Sequence, residues 1–132
     1  MSAILDASAF LALMLGERGG EVVLAVARGS LISAVNFCES MTRAIDRGHD
    51  SEDVRRIVRR LEIGIAPFEA ELAQRAADLR GATRAPGISL GDRACLALAQ
   101  ATGRPIYTAD QRWADLDLDL GIDIRLIRTR HA

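Results

Sequence analysis

Lysine is absent from this chain of 132 residues: all 17 basic residues are arginine. Chemistry that requires a lysine, such as that of receiver-type phosphoryl-transfer domains, is therefore excluded. Aromatic residues are scarce, with three Phe, one Tyr and one Trp. Phe10, Phe37, Phe68, Tyr107 and Trp113 are too few and too scattered to form a base-stacking platform. No apolar stretch approaches the roughly 18 residues of a membrane span. No basic leader precedes the first apolar run, which Asp6 already interrupts, so no signal peptide is expected and the cytoplasm is the expected compartment. The two cysteines, Cys38 and Cys95, lack nearby partner ligands for zinc. Both fall on apolar helical positions and read as buried free thiols. The two histidines stand in a Gly48-His49-Asp50 turn and at His131 in the tail. Neither is at a strand end, which disfavours catalysis by paired imidazoles.

What remains is a compact, mixed-charge composition: 49% hydrophobic residues and a net charge of −1. One domain spanning 1–132 is expected, long enough to bury roughly two-thirds of its unfolded surface. Short apolar runs at 3–6, 31–33, 62–66, 105–108 and 123–127 read as five strands. Between them lie segments of helical spacing at 8–15, 21–28, 34–47, 51–61, 69–80, 89–102 and 111–116. Ser51 is the expected N-cap of the 51–61 helix, with Val54, Ile57, Val58 and Leu61 on its apolar face. Strands that alternate with helices imply an α/β domain whose parallel sheet is covered on both faces.

Four acids stand out against this pattern: Asp6 ends the first apolar run, Glu39 lies within the 34–47 helix, Asp92 opens the 89–102 helix, and Asp110 follows the fourth strand. Helices antiparallel to a parallel sheet bring strand ends and helix starts to one edge, where such folds bind ligands. Each acid also has a purely structural reading. Asp6 and Asp110 could be N-caps, Asp92 could complete a capping box with Ser89, and Glu39 could face solvent. Taken together, four carboxylates at one edge would repel one another unless a cation intervened. Hard oxygen ligands suit Mg²⁺, with Mn²⁺ able to substitute.

These residues resemble a known family. Asp6-Ala7-Ser8, the run Ser33-Ala34-Val35-Asn36-Phe37-Cys38-Glu39, Leu90-Gly91-Asp92 with Ala97-Leu98-Ala99, and Thr108-Ala109-Asp110 are similar to the PIN-domain signature, in the manner of VapC ribonuclease toxins from VapBC toxin–antitoxin pairs. The resemblance spans the whole chain. It implies a three-layer fold with a five-stranded parallel sheet in the order 3-2-1-4-5. It also implies hydrolysis of RNA by metal-activated water, with Asp6, Glu39, Asp92 and Asp110 as the catalytic, metal-holding set. Ser8 and Thr108 would either act as auxiliary groups orienting a ligand acid or a phosphate or be ordinary helix-start hydroxyls, the reading that suits Thr108 better, and Asn36 would either face the same crevice or be a plain exposed amide. Asp115 would either join the site or face water with Asp117 and Asp119. A homodimer and a cognate antitoxin are the implied protein partners, the antitoxin covering an apolar groove to which Phe10, Leu13, Met14, Val22 and Val23 could contribute unless they are ordinary core.

For RNA contact the sequence offers Arg55, Arg56, Arg59 and Arg60, a basic cluster that reads equally as a solvated helix face, and a tail of Arg128, Arg130 and His131. Trp113 is expected to pack the short helix onto the sheet. A phosphatase-like site wants a second Asp two residues after the first, where Ser8 stands. A DNA-acting nuclease of the same site type and a catalytically silent binding module of the same fold remain the alternatives.

Overall fold

The computed structural model describes residues 2–83, 88–115 and 120–128, the side chains of 114 and 115 apart. Its strands are β1 (Ile4–Leu5), β2 (Leu31–Ser33), β3 (Gly64–Ala66), β4 (Ile106–Thr108) and β5 (Ile124–Leu126). They stand in the order β3-β2-β1-β4-β5, every neighbouring pair parallel, as the resemblance implied. Alternation along each strand divides the core into two layers. Leu5, Ile32 and Tyr107 turn to one face, toward the buried residues of α1 (Ala7–Leu15), α2 (Gly20–Val26), α3 (Ala34–Asp46) and α4 (Ser51–Arg60). Ile4, Leu31 and Ile106 turn to the other, against α5 (Ala70–Asp78) and α6 (Leu90–Thr102). Trp113, in the 3₁₀ turn Gln111–Asp115, is 1% exposed and joins this second layer, as expected.

Several local expectations change in the structure. The N-cap of α4 is Asp50, not Ser51: its carboxylate accepts from the backbone N–H groups of Glu52 and Asp53 at 2.8 and 3.4 Å. Ile57 is 40% exposed, leaving Val54 and Val58 to bury the helix. β3 begins at Gly64, after a turn that closes α4 (Glu62 N–H to Arg59 O and Ile63 N–H to Val58 O, each 3.1 Å) and leaves Glu62 left-handed (φ 56°), its carbonyl accepting from the distant Gly29 N–H at 3.0 Å. Cys95 is buried, but Cys38 is exposed. The buried face of α3 carries Asn36, Ser40, Met41 and Ala44, and Cys38 stands about 200° around the helix from both Asn36 and Ser40. Phe10 and Val23 are core residues, Leu13 and Met14 pack against that core, and Val22 is 38% exposed. No described helix is long and apolar enough to cross a membrane.

With all strands parallel, Leu5, Ser33 and Thr108 end at one edge, where α1, α3 and the 3₁₀ turn begin. α6 runs back to the start of β4, so its N-terminus lies at that same edge.

Candidate active site

The structure gathers the four acids. Asp6, Glu39, Asp92 and Asp110 line one pocket of about 330 Å³, together with Ala7, Ser8, Asn36, Arg43, Ser89 and Arg112. The structural readings of three acids hold at the same time. Asp6 caps α1 through Ala9 N–H, Asp92 completes a capping box with Ser89, and Asp110 accepts from Arg112 N–H at 3.0 Å. Capping and site-building are one arrangement here, because a cap at the sheet edge already points its carboxylate toward the pocket.

Asp6 is the innermost acid, at 5% exposure. Its Oδ1 accepts from Ser8 Oγ at 2.7 Å and Ala9 N–H at 2.8 Å, and its Oδ2 accepts from Thr108 Oγ1 at 2.5 Å. Burial pushes its carboxyl up to about 6, against the opposing pull of these donors, and the Asp92 carboxylate adds to the rise. Ser8 Oγ in turn accepts from Ala109 N–H at 2.9 Å, and Thr108 Oγ1 accepts from Asp110 N–H at 3.0 Å. The two hydroxyls thus lock the end of β1 to the end of β4.

Asp92 takes Ser89 N–H on Oδ2 at 3.0 Å. Glu39 is half-buried rather than solvent-facing, and its Oε1 accepts from Asn36 Nδ2 at 3.0 Å. Asn36 is no exposed amide: it is 2% exposed and also donates to Gly91 O at 3.0 Å. Asp110 is clamped by Arg112, whose Nε lies 3.0 and 3.1 Å from its two carboxylate oxygens, and this cation holds the carboxyl below its ordinary range. Beneath the pocket, burial raises the Cys95 thiol well above its usual value, and Asp6, Asp92 and Glu39 each push it further. The pocket thus gathers four carboxylates and two guanidinium groups, Arg43 and Arg112.

Among the described residues no three acids stand close enough together to clasp an ion as they are. Each carboxylate is turned onto a protein donor, as uncompensated neighbouring charges dictate. The donor set nevertheless fits a hard divalent cation: four carboxylates around one pocket, one of them buried against a desolvation cost that a cation would relieve.

A profile of the PIN domain matches residues 3–118. The chain belongs to the PIN-domain family. VapC ribonuclease Mb2780c of Mycobacterium bovis and ribonuclease VapC42 of Mycobacterium tuberculosis are each 34% identical to it over 127 residues, covering 87% of this chain and 95% of theirs. Among solved structures, a toxin–antitoxin complex from Klebsiella pneumoniae superposes with a TM-score of 0.74 at 23% identity, covering 92% of this chain and 95% of that one. VapC20 of Mycobacterium tuberculosis, a Sarcin-Ricin loop cleaving toxin, follows at 0.71 and 17%, covering 89% and 96%. These structural likenesses bear on the fold.

Two arginines of this PIN domain line the pocket without having been singled out in the sequence. Arg43 is four residues past Glu39 on α3, so the helical repeat places both on one face. Arg112 follows Asp110 by two residues within one tight turn. The basic cluster that the sequence did single out lies elsewhere. Arg55, Arg56 and Arg59 pair with Glu52 or Asp53 on the exposed side of α4, at 2.9 to 3.4 Å. Arg60 is exposed at the end of α4, which leads to the start of β3 and so to the edge opposite the acids. In the tail, Arg128 donates to Arg18 O at 2.8 Å. The side chain of Asp115, along with Asp117, Asp119, Arg130 and His131, falls outside the described residues, as does part of the 82–88 loop.

Proposed function

We propose that this PIN domain is a divalent-metal-dependent endoribonuclease, the toxin of a toxin–antitoxin pair, with Mg²⁺ as its working ion and Mn²⁺ able to replace it. The observation that carries the reading is the convergence of Asp6, Glu39, Asp92 and Asp110 on one pocket, in a chain 34% identical to named VapC ribonucleases over most of its length.

Asp6, Glu39, Asp92 and Asp110 would hold the metal. Asp6 has a fixed role in this set. Two donors fill Oδ1 while Oδ2 takes one, so Oδ2 keeps acceptor capacity toward the pocket. Glu39 Oε2 and Asp92 Oδ1 accept no donor among the described residues, so each can take up a ligand or a proton. Held by these residues, a divalent ion would supply charge compensation for the phosphate and a water of lowered pKa. One of the uncommitted carboxylate oxygens then accepts the proton of the attacking water. Attack by water rather than by the ribose 2′-hydroxyl leaves a 5′-phosphate and a 3′-hydroxyl.

Arg43 and Arg112 stand at the rim of the pocket, where guanidinium groups can take the phosphates flanking the scissile one. Arg55, Arg56, Arg59 and Arg60 are proposed only as a remote, weak contact for the RNA body. A small antitoxin and a second copy of the chain are the proposed protein partners, and relatives of the same fold have been solved as VapBC assemblies.

The test is cleavage of a panel of tRNA, rRNA and single-stranded DNA, with Mg²⁺, with Mn²⁺, with EDTA and with Asp6→Asn protein. Discrete RNA cuts bearing 5′-phosphate ends, lost in EDTA and in the variant, are expected. Cutting that persists in EDTA would sink the metal reading, and cuts confined to DNA would sink the ribonuclease reading.

A further inference from the structure

Gly91 is the second residue of α6, and its backbone is not left-handed. Glycine is among the poorest helix formers, so a helical glycine whose φ any residue could adopt needs another explanation. Space supplies it. A Cβ on Gly91 would stand 2.5 Å from Oε1, 2.7 Å from Oε2 and 2.8 Å from Cδ of Glu39. All three atoms belong to one carboxylate, which therefore rests directly on the bare Cα of its neighbour.

The opposite wall of this contact is Asn36. Its Nδ2 donates one hydrogen to Glu39 Oε1 and the other to Gly91 O, each at 3.0 Å. Turning the amide over would set oxygen against oxygen at both places, so its orientation is determined. Asn36 Oδ1 is buried with no partner among the described residues, which shows that the amide is placed for its two donors.

We propose that Gly91 and Asn36 are positioning residues that form a seat for the Glu39 carboxylate. The bare Cα sets how deep the carboxylate sits, and the amide sets its rotation. The same amide ties α3 to the head of α6, so Glu39 and Asp92 are held in register as a pair. Substitution at 91 displaces Glu39 without disturbing the fold, because the far end of a flexible side chain is what must move. The link from seat to metal rests on the nuclease reading; the seat itself does not.

The experiment uses Gly91→Ala, with Asn36→Asp as an independent probe of the other wall. Three readouts are taken: thermal unfolding, calorimetric affinity for Mn²⁺ without RNA, and the ¹³C resonance of the Glu39 carboxyl, assigned by its loss in Glu39→Gln. Gly91→Ala is expected to unfold no earlier than wild type, to shift the Glu39 resonance, and to weaken Mn²⁺ binding roughly 10- to 100-fold, the usual effect of losing a group that orients a ligand. In a Glu39→Ala background the added Gly91→Ala should change Mn²⁺ affinity no further, since the displaced group is gone. An unmoved resonance in Gly91→Ala overturns the proposal, as does Mn²⁺ affinity within twofold of wild type. If wild type neither binds metal nor cuts RNA, a shifted resonance still upholds the seat while the nuclease reading falls.

Discussion

Two parts of this PIN domain are dense in charge, and they are built in opposite ways. At the edge where the strands end, Asp6, Glu39, Asp92 and Asp110 share a pocket, and neutral donors engage Asp6, Glu39 and Asp92: hydroxyls, an amide and backbone N–H groups. On α4, Arg55, Arg56 and Arg59 face Glu52 and Asp53 one or two turns away, all exposed. Three of the four arginines on this helix find an acid on the helix itself, and such exposed pairs contribute little to stability. In the pocket, by contrast, Asp6, Glu39 and Asp92 lean on neutral donors, and all three push the buried Cys95 thiol further up. Charge that a structure leaves uncompensated, at a cost in desolvation, points to a ligand; charge balanced on the spot points to a surface.

The most direct way to break this contrast is to remove the innermost acid. Asp6→Asn keeps the shape but not the charge, and kcat on RNA is expected to fall on the order of a thousandfold, as read by single-turnover cleavage at saturating Mg²⁺. A loss under tenfold would mean that Asp6 acts only as the cap of α1.

A pH experiment sharpens the same point without substrate. The Asp6 carboxyl, pushed up to about 6 by burial from an ordinary 3.8, holds its proton more tightly in the folded chain than in the unfolded one. Its destabilising effect on the metal-free protein is therefore absent below about pH 4 and complete above about pH 6, amounting to about 3 kcal/mol. Urea unfolding in chelator at pH 5 and 7.5 should show a little under half of this loss, about 1.4 kcal/mol, in wild type and not in Asp6→Asn. Added Mg²⁺ should stabilise wild type more at pH 7.5 than at pH 5. Identical pH trends in the two proteins would mean a solvated, relaxed carboxylate.

Next in size come the rim arginines. Arg43→Ala is expected to raise KM several-fold with little change in kcat, and to reduce the slope of log(kcat/KM) against log salt by about one, as for a single lost phosphate contact. The smallest effect belongs to α4. Arg56→Ala should alter kcat/KM less than about twofold and stability by less than about 0.5 kcal/mol. A larger loss for Arg56→Ala than for Arg43→Ala would reverse the comparison and return the RNA track to α4.

Much of this architecture is legible in the chain because it is local. Short apolar runs between helical segments are enough to give a parallel α/β domain, and three of the four acids stand where strands end or helices begin, with Glu39 inside α3. Element ends are less legible. Asp50 and Ser51 are both good caps in sequence, and only the carboxylate reaching two N–H groups decides between them. Glu62 looks like strand until the turn that closes α4 makes it left-handed. Cys38 reads as apolar, but the stripe actually buried on α3 includes Asn36 and Ser40, polar residues whose burial depends on partners elsewhere. Arg43 had a usable signal, one helical turn from Glu39. Gly91 stands in the Leu90-Gly91-Asp92 motif, but the reason for its bareness is not in the sequence, because the carboxylate that requires it comes from a helix 52 positions earlier, a relation that only the folded chain displays.

The bond from Thr108 to Asp6 spans 102 positions of sequence. A chain emerging from the ribosome at roughly 5 to 20 residues per second would have β1 and β2 in hand early, yet would wait several seconds more for β4 to arrive and orient the first acid. An enzyme that attacks RNA would thus stay blunt throughout most of its own synthesis. Because β1 lies between β2 and β4, its acid is oriented only once strands from both sides of it in the sheet have been made.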